Sequence, residues 1–133
     1  MRLFVCLLLS LGLFLSCRDK ETKAVNDNVP SEQLIREIYG AYVQGDFQNY
    51  VNHVHSFKDK PEKYKTQIVN MMKQRAATRH AAGIQIDSFV VSKIAPLEPK
   101  KTSRVFLMIY YSDQKNEEVV LPMLFDQNTW WVK

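Results

Sequence analysis

Three histidines, a few scattered carboxylates and a row of tyrosines are the side chains of this sequence best able to do chemistry. His53-Val54-His55 invites a metal ion. On a helix, however, residues two apart are turned by about 200°, so the imidazoles point to opposite sides and cannot share an ion. Only an irregular helix end would bring them together. His80 falls near the end of a helical pattern, where the helix dipole accounts for a cation without any function. A proton-transfer enzyme would need an acid or base and a hydrogen-bond donor. Asp46, Tyr39, Tyr42, Tyr50, His53, Asp87 and Arg104 are available for those parts. Asp46 follows Gly45 and reads first as turn chemistry and as the cap of a helix. The tyrosines recur at core spacing, where a phenol packs its ring and finds one partner for its hydroxyl. Asp87 sits in a strand pattern with no recognisable partner. There is no nucleophile elbow, phosphate-binding loop or His-Glu-x-x-His run. Neither metal nor cofactor is expected, and binding is expected ahead of catalysis.

Charge is modest overall and uneven along the chain. The 133 residues carry a formal charge of +4, which by itself points to neither nucleic acid nor a membrane surface. Yet Lys58, Lys60, Lys63, Lys65, Lys73, Arg75 and Arg79 stand against only Asp59 and Glu62. The plain account is a solvated helix face. The functional account is docking on anionic envelope components, with Lys73, Arg75 and Arg79 as the candidate patch. No Gly-rich loop or aromatic interleaving supports a nucleic-acid site.

The two cysteines bear on location rather than on folding. Arg2 precedes an apolar run from Leu3 to Leu15, then Ser16-Cys17. As a helix that run spans roughly 20 Å against a hydrocarbon core of about 30 Å, so a signal peptide is the better reading than a permanent span. Cys6 lies inside the run, leaving Cys17 as the one thiol a mature chain could keep. That excludes an internal disulfide, a cysteine zinc site and a cysteine nucleophile in the folded body. Leu13, Leu15, Ser16 and Cys17 resemble a bacterial lipobox, with Phe14 departing from the usual leucine. The resemblance implies that Cys17 is acylated and becomes the new amino terminus, a stable anchor once several acyl chains are attached. Residues 1–16 are then the signal peptide, and 17–30 the lipidated cysteine and a polar tether ending at Pro30. Arg18-Asp-Lys-Glu21 also resembles the charged sequence after the lipid cysteine in surface-exported lipoproteins of Bacteroidota. The expected location is the bacterial envelope, on the periplasmic or surface side of the outer membrane.

The elements that must position any site occupy residues 31–133. Ser31 followed by Glu32 offers a helix start, and Leu34, Ile35, Ile38, Tyr39, Tyr42 and Val43 recur at helical spacing. Gly45-Asp46 breaks the run, and Phe47, Tyr50, Val51 and Val54 repeat it on a second, shorter helix. Pro61 fits the first turn of a third, which carries Tyr64, Ile68, Met71, Met72 and Ala76 toward Gly83. Strand-like runs follow at Ile84 to Ile94, Arg104 to Tyr111, Glu118 to Phe125 and Trp130 to Lys133. Pro96 is expected to end the first, and Pro122 to force a bulge in the third.

Three helices, then a four-stranded antiparallel meander, make an α+β domain. In that order it resembles the nuclear transport factor 2-like (cystatin-like, cone-shaped) superfamily, especially its small bacterial lipoproteins. The resemblance rests on Ile38 through Phe47, on Val105 to Tyr111, and on the closing Trp130-Trp131-Val132. It implies a curved sheet wrapped around helices with a pocket at the mouth of the cone, which four strands would leave small or closed. Tyr42, Tyr50, Asp87 and Arg104 are the candidate pocket residues. Family members include isomerases, cyclases and dehydratases beside many binding domains, so fold alone does not choose between them. An envelope binding or accessory module is the leading reading. A lipid-anchored cyclase, isomerase or hydrolase, and a scaffold docked through the basic helix, are the alternatives. The sheet is also apolar on both faces, and helices can cover only one. Phe106, Met108, Tyr110 and Trp131 are therefore expected to meet a second copy, an envelope protein or a small apolar ligand.

Overall fold

A computed structural model describes residues 28–98 and 101–133. The expected signal peptide, Cys17 and the expected tether up to residue 27 lie outside them. Ser31 starts helix α1 (Glu32–Val43): its side chain accepts a hydrogen bond from the Leu34 N–H at 3.1 Å, and Glu32 meets the positive end of the dipole. The face it turns inward is Ile35, Ile38, Tyr39 and Ala41. Gly45 has φ +82°, a conformation that a residue with a Cβ rarely adopts. Asp46 then caps α2 (Phe47–Val51) by accepting from the Asn49 N–H at 3.3 Å.

Here the structure departs from the helical spacing. Val54 is not on α2. It is extended, at φ −95° and ψ 118°, and forms a parallel bridge with Val132. The Val132 N–H donates to the His53 carbonyl at 2.8 Å, so pairing to the sheet outcompetes another helical turn. A short 3₁₀ turn, His55–Phe57, leads to α3 (Glu62–Ala81).

Helix α3 was expected to bury Tyr64, Ile68, Met71, Met72 and Ala76. Val69 is its only buried residue, whereas Tyr64 and Met71 are 39% and 47% exposed. Ile68, Met72 and Ala76 are partly buried, against Phe47, Val51 and Val69. The helix thus packs on α2 and leaves space between itself and the sheet. That separation creates the site described below.

The sheet is an antiparallel meander in the order β1-β2-β3-β4, built from β1 (Ile86–Leu97), β2 (Thr102–Tyr111), β3 (Asn116–Asp126) and β4 (Thr129–Val132). Its inner face is Val105, Leu107 and Ile109, all fully buried, with Leu121, Met123, Trp130 and Val132. They pack on Ile35, Ile38 and Tyr39 of α1 in one core. Burial of this kind, at about 25 cal/mol per Å² of apolar surface, holds the helical layer to the sheet.

Both prolines correct the sequence reading. Pro96 does not end β1: it pairs with Ser103 and the strand continues to Leu97. β1 is an edge strand, where a residue without an N–H is tolerated. Pro122 makes no bulge, since the β2–β3 register runs unbroken through Arg104↔Pro122. In an antiparallel ladder a residue's N–H and C=O point to the same neighbour. The Pro122 carbonyl accepts from Lys133 at 2.9 Å, so its nitrogen faces β4 and its absent N–H leaves no β2 carbonyl unpaired. The bulges fall instead in β1, between Ile86 and Ser88 and between Val91 and Lys93.

Candidate functional site

A groove of about 970 Å³ opens where α3 stands off the sheet. Its walls are Tyr39 and Tyr42 of α1, Tyr50 of α2, Met71, Met72, Arg75 and Arg79 of α3, and Val119 and Leu121 of β3. It is the size of a ligand pocket for a small organic molecule, not the small or closed remnant expected of a four-stranded cone.

The tyrosines form a continuous aromatic wall. Tyr42 lies 5.3 Å from Tyr39 and 5.2 Å from Tyr50, centroid to centroid, in tilted arrangements, and Phe47 closes edge-on against Tyr42 at 5.6 Å. Burial pushes the Tyr39 and Tyr50 hydroxyls above the ordinary phenol range, and the neighbouring phenols add to it. They therefore stay protonated at physiological pH and face the groove as donors, not bases.

Arg79 is the charged feature. Its guanidinium donates to the Tyr42 hydroxyl at 3.1 Å, a bond that raises its pKa further. It also lines a smaller cleft of about 230 Å³ behind the groove, with Phe47, Ile86 and Tyr111. There the Tyr111 hydroxyl donates to Glu117 at 2.6 Å, and burial and that carboxylate raise its pKa to about 12.

Of the candidate pocket residues, the structure brings Tyr42 and Tyr50 together and leaves the other two outside. Asp87 falls at the β1 bulge and is exposed. Arg104 is exposed on the outer face of the sheet, opposite Pro122, because strand alternation that buries Val105 must turn its neighbour outward. The candidate cation patch is divided. Arg75 and Arg79 face the groove and Lys73 does not line it. Lys58, at the start of the basic stretch, is bound to Asp126 at 2.9 Å. Sequence reasoning missed the groove role of Arg75, Arg79, Met71 and Met72. Their spacing of four, Met71-Arg75-Arg79, is the available signal.

His53 and His55 do sit at an irregular helix end, yet they are engaged separately. The His53 Nδ1–H donates to the Asn49 carbonyl at 2.8 Å, and the His55 Nε2–H to Asp126 at 2.9 Å. Among the described residues no group of three potential metal ligands converges. Among the described residues that line the groove, Thr78 carries the one hydroxyl besides the phenols, and it donates to the Gln74 carbonyl at 3.0 Å.

On the outer face, Tyr110 and Val120 are exposed, as is Val90 beside them, while Phe106 and Met108 are half-buried. Lys93 lies over the Phe106 ring at 5.9 Å. Trp131 shares that face but is engaged by its own chain. Its indole N–H donates to the Asp126 carbonyl at 3.0 Å, His55 meets it edge-on at 6.0 Å, and the Lys58 ammonium lies 5.7 Å from its ring. The same Asp126 carboxylate accepts from His55 and Lys58, which lower its pKa to about 2.

No family model matches the chain, and no curated protein matches it. Among solved structures, a Campylobacter jejuni protein named as an NTF2-like transpeptidase superposes with a TM-score of 0.56. It is 13% identical, and the match covers 76% of this chain and 94% of that one. Together with the helices and four-stranded meander, this places the chain in the nuclear transport factor 2-like fold. At such identity the likeness is one of fold alone.

Proposed function

We propose that this chain is a lipid-anchored envelope protein whose cone-shaped domain binds a ligand in the groove beneath α3 without transforming it. The groove carries the reading: a wide, largely apolar space walled by three tyrosines, two methionines and two arginines. Its phenols are donors at neutral pH, which suits holding a ligand better than abstracting a proton from one. The proposed anchor is supported by Leu13, Leu15, Ser16 and Cys17, which resemble a lipobox, and would hold the groove near a membrane surface. The transpeptidase name of the structural neighbour brings no role here, because at 13% identity the likeness is one of fold. The test is to release the full chain from its own membranes and weigh it by native mass spectrometry. A bound small molecule is expected, and Met71→Trp, which fills the groove from α3, should lose it. A bare protein in every preparation would overturn the binding reading.

A further inference from the structure

The polarity of the groove is graded along α3, and that gradient names a class of ligand. Met71, Arg75 and Arg79 are spaced four apart, so they form one row on the helix face that lines the groove. At a rise of 1.5 Å per residue the row is about 12 Å long. Its Met71 end has Met72 beside it, and Val119 and Leu121 of β3 line the same groove. Its other end is cationic. The lining holds two guanidiniums and no carboxylate, and no described acidic residue forms an ion pair with Arg75 or Arg79. Arg79 is also oriented: the Tyr42 hydroxyl fixes one of its N–H groups and leaves the rest of the fork for a ligand. Tyr39 and Tyr50 line the same groove with protonated phenols.

Resting on the binding reading above, we propose that the groove takes a single-chain amphiphile, its apolar chain along Met71, Met72, Val119 and Leu121 and its oxyanion head on Arg75 and Arg79. A carboxylate meets the guanidinium fork through two parallel hydrogen bonds, and a phosphate does so equally well. The head can thus come from a free fatty acid or from a monoacyl phospholipid. A neutral chain of equal length buries the same surface but forfeits the charge-assisted bonds, at a cost of about tenfold or more in affinity.

The full-length protein in its own membranes is photolabelled with three diazirine probes: a fatty acid, a lysophosphatidate and a fatty alcohol. Labelled residues are located by peptide mass spectrometry. Labelling of Met71, Met72 and their neighbours is expected from at least one anionic probe, at ten times the level from the alcohol or more. The stronger of the two anionic probes identifies carboxylate or phosphate as the head. Arg75→Gln with Arg79→Gln should remove the preference for charge, while Arg79→Lys, which keeps the cation, should retain most of it. Alcohol labelling equal to the anionic probes would overturn the oxyanion head and leave the binding reading standing. No labelling in the groove, with a native ligand still seen by mass, would overturn the amphiphile class alone. The absence of both would overturn the two together.

Discussion

Met71→Ala and Ile38→Ala separate a groove-lining residue from a core residue at positions that both read as core in the sequence. Ile38 is 1% exposed and packs in the cluster between α1 and the sheet. Truncation removes its outer carbons from a closed site, a transfer loss of about 0.8 kcal/mol per carbon. The cavity left behind adds to that, for a total of about 3–5 kcal/mol. Met71 is 47% exposed, so only about half of the lost Cγ, Sδ and Cε surface was ever buried, worth about 1 kcal/mol. The groove is already open, so no new cavity forms, and alanine recovers a little through its helix propensity. Urea unfolding followed by the fluorescence of Trp130 and Trp131 should therefore give a large loss of midpoint for Ile38→Ala and a small one for Met71→Ala. In thermal melts the gap is expected to exceed about 8 °C, at roughly 4–8 °C per kcal/mol for a domain of this size. Equal losses in the two variants would mean that α3 closes onto the sheet, and the groove with its proposed ligand would fall.

Three further outcomes follow from other parts of the molecule. Cys17→Ser should abolish incorporation of labelled palmitate, and unchanged incorporation would remove the anchor. Asp126 has its pKa lowered from 3.8 to about 2 by hydrogen bonds from His55 and Lys58, so its stabilisation is complete above about pH 4 and is lost as pH falls through about 2. Asp126→Asn should flatten the stability curve across that window, and an unchanged acid slope in urea midpoints would refute the linkage. Self-association through the outer face rests on Phe106, Met108, Tyr110 and Val120, since Trp131 is already engaged. Val120→Glu should shift a dimer toward monomer in sedimentation, whereas Trp131→Glu should chiefly destabilise the fold, and a strictly monomeric parent would end the idea.

How far the fold could be read in advance depended on whether the signal was local. Ser31, Gly45 and Asp46 act on their own neighbours, through a cap, a left-handed turn and another cap, and each was legible. The apolar runs of β2 and β3 were legible too, as β-branched and aromatic stretches bounded by polar turns, although the sequence left both faces of the sheet apolar. The groove was not. Tyr42 and Arg79 are 37 residues apart, and their pairing depends on α3 resting on α2, a choice between two apolar faces that helical spacing does not make. Val54 shows the same limit. Its spacing continues α2, but the partner that captures it is Val132, beyond three intervening strands. Asp87 and Arg104 were assigned to the pocket by residue type alone, and strand parity and a bulge turned them away.

The two margins of the sheet also bear on how copies of the domain meet one another. A row of unpaired amides invites a neighbouring copy to add its own strand and grow into a fibril. Under the proposed lipid anchor, copies held in two dimensions would meet far more often than in solution. One margin here, β1, is kinked by two bulges and carries Pro96, which cannot donate to an incoming chain. The other, β4, is four residues long and already paired at Val132 by the chain around Val54. Edge-wise addition of strands is thereby opposed at both margins, so that copies crowded together by the proposed anchor would be kept from growing into one another's sheets.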